Sequence, residues 1–425
     1  MSERDQRGRF VRMFGSAVVT QAMLSAASLL VGLILIRRTS EMQYGYYVLV
    51  GNAVALLTSL QKSFIQPAMV TRMTRLDIAG RRNLIGGLLR EQRQLLPLVA
   101  LLAVAVTVLL WAGERLAAST GILLLVAVAA VTAALYREFF RMVLLGYRRP
   151  VEVFRADAVY VVLLVAGAAA ATLAPWQASA AVVALGVAAG IGGALLARSL
   201  WRYEAWNIAG ARGILLEIAP LAIWSAAGSA IHWTFSQGYN YLVAGTLSVS
   251  AVAAIAGTRL IMMPINLLST GIGTLMLPTT ATWLLHHPPQ RVFRRLLLSA
   301  GGLALLAVTY IVIMWLMRDW IFAHVLKKSF AQRDLLLQLW AVAFVLMACR
   351  DQLLYLLVAR GRFRSLAALT LASALLSLTV SYLCMRHIGV VGALYGILAG
   401  ESFNFAGITI LSYRESRHGG PVQVT

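Results

Sequence analysis

Residues 1–36 read MSERDQRGRFVRMFGSAVVTQAMLSAASLLVGLILI. Arg4, Arg7, Arg9 and Arg12 come first, and an apolar run then extends from Phe14 to Ile36. A cleaved signal has an apolar stretch of about 7 to 15 residues, whereas crossing the hydrocarbon of a bilayer takes about 20. The run is therefore expected to be a retained first membrane span, with its basic leader on the cytoplasmic side.

The same reading repeats along the chain. Apolar runs bounded by charge predict spans near 14–36, 44–65, 95–113, 120–140, 157–174, 178–197, 214–236, 249–272, 296–317, 335–358, 365–385 and 389–412. The 425 residues are 60% hydrophobic and 12% charged, against about 25% charged in a soluble globular chain. Twelve spans use about 240 positions and leave connections of about 14 residues each, so no sizeable soluble domain fits. A nucleotide-driven pump is excluded, because Lys62-Ser63 and Lys328-Ser329 lack the glycines of a phosphate loop. Cys349 and Cys384 both fall in apolar stretches and the six histidines show no ligand spacing, so neither a metal nor another cofactor is expected.

Charge supplies the topology. The chain has 37 Lys and Arg against 16 Asp and Glu, a net charge of +21. With the N-terminus inside, 26 basic residues fall in cytoplasmic segments, 8 in outer connections and three within spans. That asymmetry predicts a multi-pass protein of the bacterial cytoplasmic (inner) membrane with both termini cytoplasmic. The cytoplasmic cations would attract anionic membrane lipids, and charge spread over short connections gives no nucleic-acid surface. Trp111, Trp176, Trp315 and Trp320 at outer ends, and Trp201, Trp206 and Trp283 at inner ends, fit interfacial anchors.

A shift of 213 residues lays Gly15-Ser16-Ala17 on Gly228-Ser229-Ala230, Arg137-Glu138 on Arg350-Asp351, and Arg149 on Arg362. The expected fold is all-α, with twelve transmembrane helices in two six-helix pseudo-repeated lobes, 1–205 and 206–425, around a central cavity. An even number of spans per lobe places both halves the same way up.

Most spans are bland, but the first two of each half carry polar side chains at helical three- and four-residue steps. These are Gln21, Ser25 and Ser28; Asn52, Ser59, Lys62 or Ser63, and Gln66; Ser225, Ser229, His232, Ser236, Tyr239 and Asn240; and Arg259, Asn266, Thr270 and Thr274. Four polar stripes facing lipid would be costly, so a shared aqueous cavity is the natural place for them. Serine and threonine can instead bond their own helix backbone. Arg259 lies about ten residues into its span, roughly 15 Å deep, where a cation costs at least about 2.5 to 3.5 kcal/mol. It is expected to hold an anion, or alternatively to pair with Glu217 or Glu401.

Neighbouring residues point about 100° apart on a helix, so neither Arg137-Glu138 nor Arg350-Asp351 is expected to be an ion pair in itself. Arg137, Arg141, Glu138, Arg350 and Asp351 either stitch spans together or contact substrate. Glu401 sits mid-span beside a Gly392, Gly396, Gly400 ridge suited to close packing. It could take up a proton or sodium ion, or pair with an arginine.

The segment Ile36-Arg37-Arg38-Thr39-Ser40-Glu41-Met42-Gln43-Tyr44-Gly45-Tyr46-Tyr47 resembles the polysaccharide-transporter branch of the multidrug/oligosaccharidyl-lipid/polysaccharide exporter superfamily. Members often read arginine, an apolar residue, glycine, then aromatic-Gly-aromatic; here Ser40 stands where the glycine is usual. Arg137-Glu138-Phe139-Phe140-Arg141 followed by Arg148-Arg149 and Asp157 is similar to polysaccharide-biosynthesis flippases. The resemblance implies a cavity lined by the first, second, seventh and eighth helices, and a non-enzymatic flippase. Its cargo would be undecaprenyl-diphosphate-linked oligosaccharide, moved from the inner to the outer leaflet by alternating access, with glycan polymerase machinery as a further partner. Twelve spans favour this branch over lipid II flippases, which usually have fourteen. Substrate-binding candidates are then Arg259, Asn266, Gln21, Asn52, Lys62, His232, Asn240, Arg137, Arg141 and Arg350. Glu401, Asp351 and Glu138 are the candidates for coupling to H+ or Na+. A cation-coupled multidrug exporter is the main rival. A membrane glycan polymerase or ligase is a weaker one, since the longest outer connection runs only from Arg318 to Asp334.

Overall fold

The computed structural model describes residues 3–202, 206–208 and 211–418, with the side chains of 3–18, 221, 274 and 418 outside the described set. The Arg4–Arg12 side chains, the Gly15-Ser16-Ala17 leg of the repeat, Thr274 and Ala205 at the expected lobe boundary lie outside what is described.

Each apolar run becomes one long helix. They are α1 (Glu3–Arg38), α2 (Glu41–Met73), α3 (Ile78–Ala112), α4 (Ala118–Gly146), α5 (Pro150–Ala171), α6 (Gln177–Trp201), α7 (Ile214–Thr246), α8 (Val249–His286) and α9 (Pro289–Leu316). After a short α10 (Arg318–Trp320) and a π-helical turn (Ile321–Leu326) come α11 (Arg333–Ala359), α12 (Phe363–Ile388) and α13 (Val390–His418). Eleven of the described helices are long and apolar enough to cross a membrane. A twelfth is reached if α7, bent by 70° between Ile214–Pro220 and Ala222–Thr246, counts as one broken span. Pro220 accounts for the bend, because its ring clashes with the preceding turn and it offers no N–H to the helix ladder.

Local signals fix the helix ends. Asp77 accepts from the Gly80 N–H at 2.8 Å to start α3, and Ser248 accepts from Ala251 at 3.1 Å to start α8. Glu91 caps α7 from another helix, its two carboxylate oxygens each accepting at 2.8 Å from the Ile214 and Leu215 N–H groups. Several helices overrun the expected spans. α2 reaches Met73, α7 reaches Thr246 and α8 reaches His286, so Asn240 is helical and the expected connection between α7 and α8 shrinks to Leu247-Ser248. A polar residue does not end a helix in a protein interior if its side chain finds a partner, and charge-bounded runs cannot register that.

The chain divides into two compact units, Met1–Thr39 with Tyr46–Ala230, and Ser40–Gly45 with Ile231–Thr425. In the first, α6 packs on α4 and α5, α3 on α4, and α1 on α5. In the second, α13 packs on α11 and α12, and α9 on α11. Three helix neighbourhoods are thus repeated in order. Gly45, between Tyr44 and Tyr46 near the start of α2, lies so close to the Val249 carbonyl that any Cβ there would overlap it. Trp201, Trp176 and Trp320 are exposed, as interfacial residues should be, but Trp206 is buried and stacks on Phe140 at 6.1 Å. It anchors the first unit's core, because the segment containing it crosses α3 where Gly86 and Gly87 leave no room for side chains of their own.

Two devices lock the units. In the second, Gly392, Gly396 and Gly400 of α13 lie against Cys384, Ser381 and Ser377 of α12, close enough that a Cβ at each would collide. Ser381 donates to the Ala393 carbonyl at 3.0 Å across the same seam. In the first, Asp157 on α5 is fully buried, accepting from Arg137 and, at 3.0 Å, from Arg141 Nε, both on α4. Tyr160 stacks beneath the Arg137 guanidinium at 3.6 Å.

Gly396→Ala should cost about 1 to 3 kcal/mol by overpacking, whereas Gly302→Ala, with open space around it, should be neutral or slightly stabilising. Thermal unfolding in detergent checks both, and equal midpoints for the two variants would remove the packing role of the seam. Asp157→Asn strands two arginines and should cost about 3 to 5 kcal/mol, against less than about 1 for Asp319→Asn in the exposed cluster with Arg318 and Arg333.

Candidate functional site

In the second unit the end of α7 and the start of α8 are joined through a two-residue turn, Leu247-Ser248. Gln237 and Arg259 each lie about ten residues from that turn, so at 1.5 Å per residue they share a depth of roughly 15 Å. Arg259 Nη1 donates to Gln237 Oε1 at 2.8 Å and to the Tyr239 hydroxyl at 3.0 Å. The guanidinium lies 5.5 Å over the Trp340 ring, and its Nε is buried without an acceptor. Asn240 joins the same chain, donating to Gln237 Oε1 at 3.3 Å while its own Oδ1 goes unpaired.

Both carboxylates considered as partners for Arg259 are engaged elsewhere. Glu217 pairs with Arg72 at 3.0 Å and Glu401 with Arg350 at 2.5 Å. Among the described residues no carboxylate lies within ion-pair distance of Arg259, although Glu401 acts on it as a more distant charge. A cation held only by neutral acceptors and an aromatic face keeps its full charge available to an anion.

A second cluster lies in the same unit. Arg350 Nη1 donates to Glu401 Oε2 at 2.5 Å, while its Nε and Nη2 donate to Asp351 Oδ1 at 3.0 and 2.8 Å. This corrects the sequence expectation that Arg350-Asp351 is not an ion pair. The 100° between neighbouring Cα–Cβ directions is overcome because the arginine is long enough to fold its planar head back over the adjacent residue. In the first unit the expectation holds: Glu138 is 3.5 Å from Arg141 one turn on. His232 on α7 is exposed and feels both Arg350 and Asp351. The cluster holds one arginine against two acids and is one negative charge in excess, apart from the histidine.

The remaining candidates are dispersed. Gln21 and Lys62 are exposed, Asn52 is half-buried with an unpaired Nδ2, and Asn266 is exposed; among the described residues none of them has a side-chain ion pair or hydrogen bond. Several stripe hydroxyls take the bland option: Ser28 bonds the Leu24 carbonyl at 3.1 Å and Ser236 the Trp233 carbonyl at 3.3 Å. Ser63 and Ser229 instead bond each other, joining α2 to the first part of α7. Arg137, Arg141 and Glu138 belong to the α4–α5 lock around Asp157. The residues that sequence reasoning passed over are Gln237, one position off the α7 stripe, and Tyr160. Equal distance from a hairpin turn is the signal for Gln237, and it needs the turn to be located to within a residue or two.

No protein-family model matches this chain, and no curated protein matches it. Solved structures do. A multidrug resistance MATE family transporter of the MOP superfamily, in an inward-facing conformation, superposes with a TM-score of 0.75 over 92% of this chain and 94% of that one, at 15% identity. The lipid II flippase MurJ, in an inward closed conformation, gives 0.74 over 94% of this chain and 87% of that one, at 10% identity. A MATE in complex with MaD3S gives 0.65 over 96% and 95%, at 15% identity. At such identities the likeness is one of fold: this chain has the two-lobed helical architecture found in MATE transporters and in MurJ.

Proposed function

We propose that the protein is a flippase that carries an undecaprenyl-diphosphate-linked oligosaccharide from the inner to the outer leaflet by alternating access. The observation that carries the reading is Arg259, a membrane-embedded guanidinium supported by Gln237 and Tyr239 with no carboxylate in ion-pair reach among the described residues. Such a charge is expensive in a membrane and is retained where an anion will meet it. A diphosphate supplies about two negative charges. Sugars and phosphate need a polar path, whereas a prenyl tail can stay in hydrocarbon.

Energetics favour the outward direction. Two negative charges leaving an inside-negative cell gain about 4 to 5 kcal/mol at about 100 mV. The Arg350, Asp351, Glu401 cluster, one acid in excess, is the proposed place for H+ or Na+ to enter the cycle. Both termini are proposed to be cytoplasmic. The rival reading, a cation-coupled multidrug exporter, has the same fold and the same excess acid in its favour. It leaves the unpaired charge of Arg259 without a use, since that charge would repel a cationic drug.

In proteoliposomes, Arg259→Gln should slow flipping of a fluorescent diphosphate-linked oligosaccharide lipid by at least about a hundredfold, as loss of a charged hydrogen-bonding group costs about 3 kcal/mol, and Arg259→Lys should restore part of it. Wild-type rates in the glutamine variant would refute the anion role. An imposed inside-negative potential should accelerate flipping from the inner leaflet. A rate that instead followed only a drug gradient and ignored the lipid would transfer the assignment to the exporter.

A further inference from the structure

A cavity of about 660 Å³ opens in the first unit where α2 and α4 end and α3 begins, lined among others by Gln66, Met73, Thr74, Arg81, Leu145 and Arg148. Gln66 is the last member of the polar stripe on α2, so the cavity continues that stripe to the end of the helix rich in basic residues.

Two arginines in it are placed in unusual ways. Arg81 Nε donates to the carbonyls of Met73 at 2.8 Å and Leu76 at 3.0 Å, which satisfies the end of α2 and fixes the guanidinium. Its two terminal nitrogens have no partner among the described residues. Arg148 sits at φ 58° in the turn that closes α4, where its N–H bonds the Leu145 carbonyl at 2.9 Å and the Arg149 N–H bonds Leu144 at 3.0 Å. That left-handed position is the one glycine fills most readily at a helix C-terminus. An arginine is strained there, and its side chain makes no ion pair or hydrogen bond among the described residues, so local structure gives it no reason to be arginine. Among the described residues no carboxylate lines the cavity, and Val70, Met73 and Leu145 make one wall apolar.

We infer that this cavity binds the phosphate of an anionic lipid headgroup between Arg81 and Arg148, with the apolar wall against the first carbons of the lipid. Resting on the flippase reading, the occupant is the diphosphate of the cargo at its first contact on the cytoplasmic side. A pre-fixed guanidinium fork and a second arginine lining the same cavity suit the several oxygens of a diphosphate better than those of a single phosphodiester.

The test uses the full-length protein in nanodiscs of zwitterionic phosphatidylcholine, titrated with a water-soluble prenyl diphosphate or with inorganic diphosphate. Prenyl diphosphate should bind the wild type, and Arg148→Gly and Arg81→Gln should each weaken it by at least about tenfold, with Arg148→Lys close to wild type. The glycine variant relieves the backbone, so its unfolding midpoint should equal or exceed that of the wild type, which separates loss of a ligand from loss of fold. Unchanged binding in both variants overturns the site. Equal affinity for inorganic and prenyl diphosphate overturns its lipid character, and displacement by added phosphatidylglycerol overturns the cargo in favour of a resident phospholipid. A wild type that binds prenyl diphosphate through these arginines but fails to flip the oligosaccharide lipid keeps the site and sinks the flippase reading. The reverse pair of results does the opposite.

Discussion

A charge within hydrocarbon has to be answered from inside the helix bundle, and three arginines placed within helices set how each lobe is built. Water screening is absent there, so an unpaired guanidinium is costly and a paired one still leaves lone pairs to satisfy. Arg137 is answered by Asp157 and the Tyr160 ring, Arg350 by Asp351 and Glu401, and Arg259 by a glutamine and a phenol. The first two arrangements are closed, with charge balanced or in acidic excess. The third is open, and that difference sets Arg259 apart from the other two within one residue type.

The repeat sharpens the contrast. Arg137 and Arg350 occupy the position related by the 213-residue shift, on α4 and α11, and each is held by an acid from a different helix of its own unit. The partner comes from α5 in one and α13 in the other. Conserving the cation while moving its counter-charge keeps the lock in both lobes but leaves the second with an extra carboxylate, since Asp351 folds back on Arg350 as well. The same duplication thus yields a neutral brace in one lobe, where two arginines face Asp157 and Glu138, and an acidic cluster in the other.

Helix number and order were legible in the sequence because they rest on one quantity, the length of an apolar run. The Gly392, Gly396, Gly400 ridge was legible for a similar reason: small residues at four-residue steps leave a groove that a neighbouring helix fills. Helix ends were not, since α7 runs through Gln237 and Asn240, whose polarity is satisfied by side chains that a linear reading cannot place. Trp206 looked like an interfacial residue, yet it is buried because an irregular segment crosses α3. The partner of Arg259 was out of reach for a geometric reason. It depends on hairpin register, and an error of ten residues in the turn would shift the opposing side chain by about 15 Å.

That register also bears on how an open cation is kept usable. Gln237 cannot ionise, so it orients Arg259 without cancelling its charge, and it is itself tied to Asn240. An acid at the same place would hold the guanidinium more tightly and make an arriving phosphate compete with a resident carboxylate. Glu401 stands farther off, already bound to Arg350, so its charge tempers Arg259 without occupying it. A proton or sodium ion taken up by the Asp351 and Glu401 pair would weaken that tempering and strengthen the hold of Arg259 on an anion. Coupling between cation uptake and anion binding then needs no moving part, only two charges sharing a low-dielectric interior.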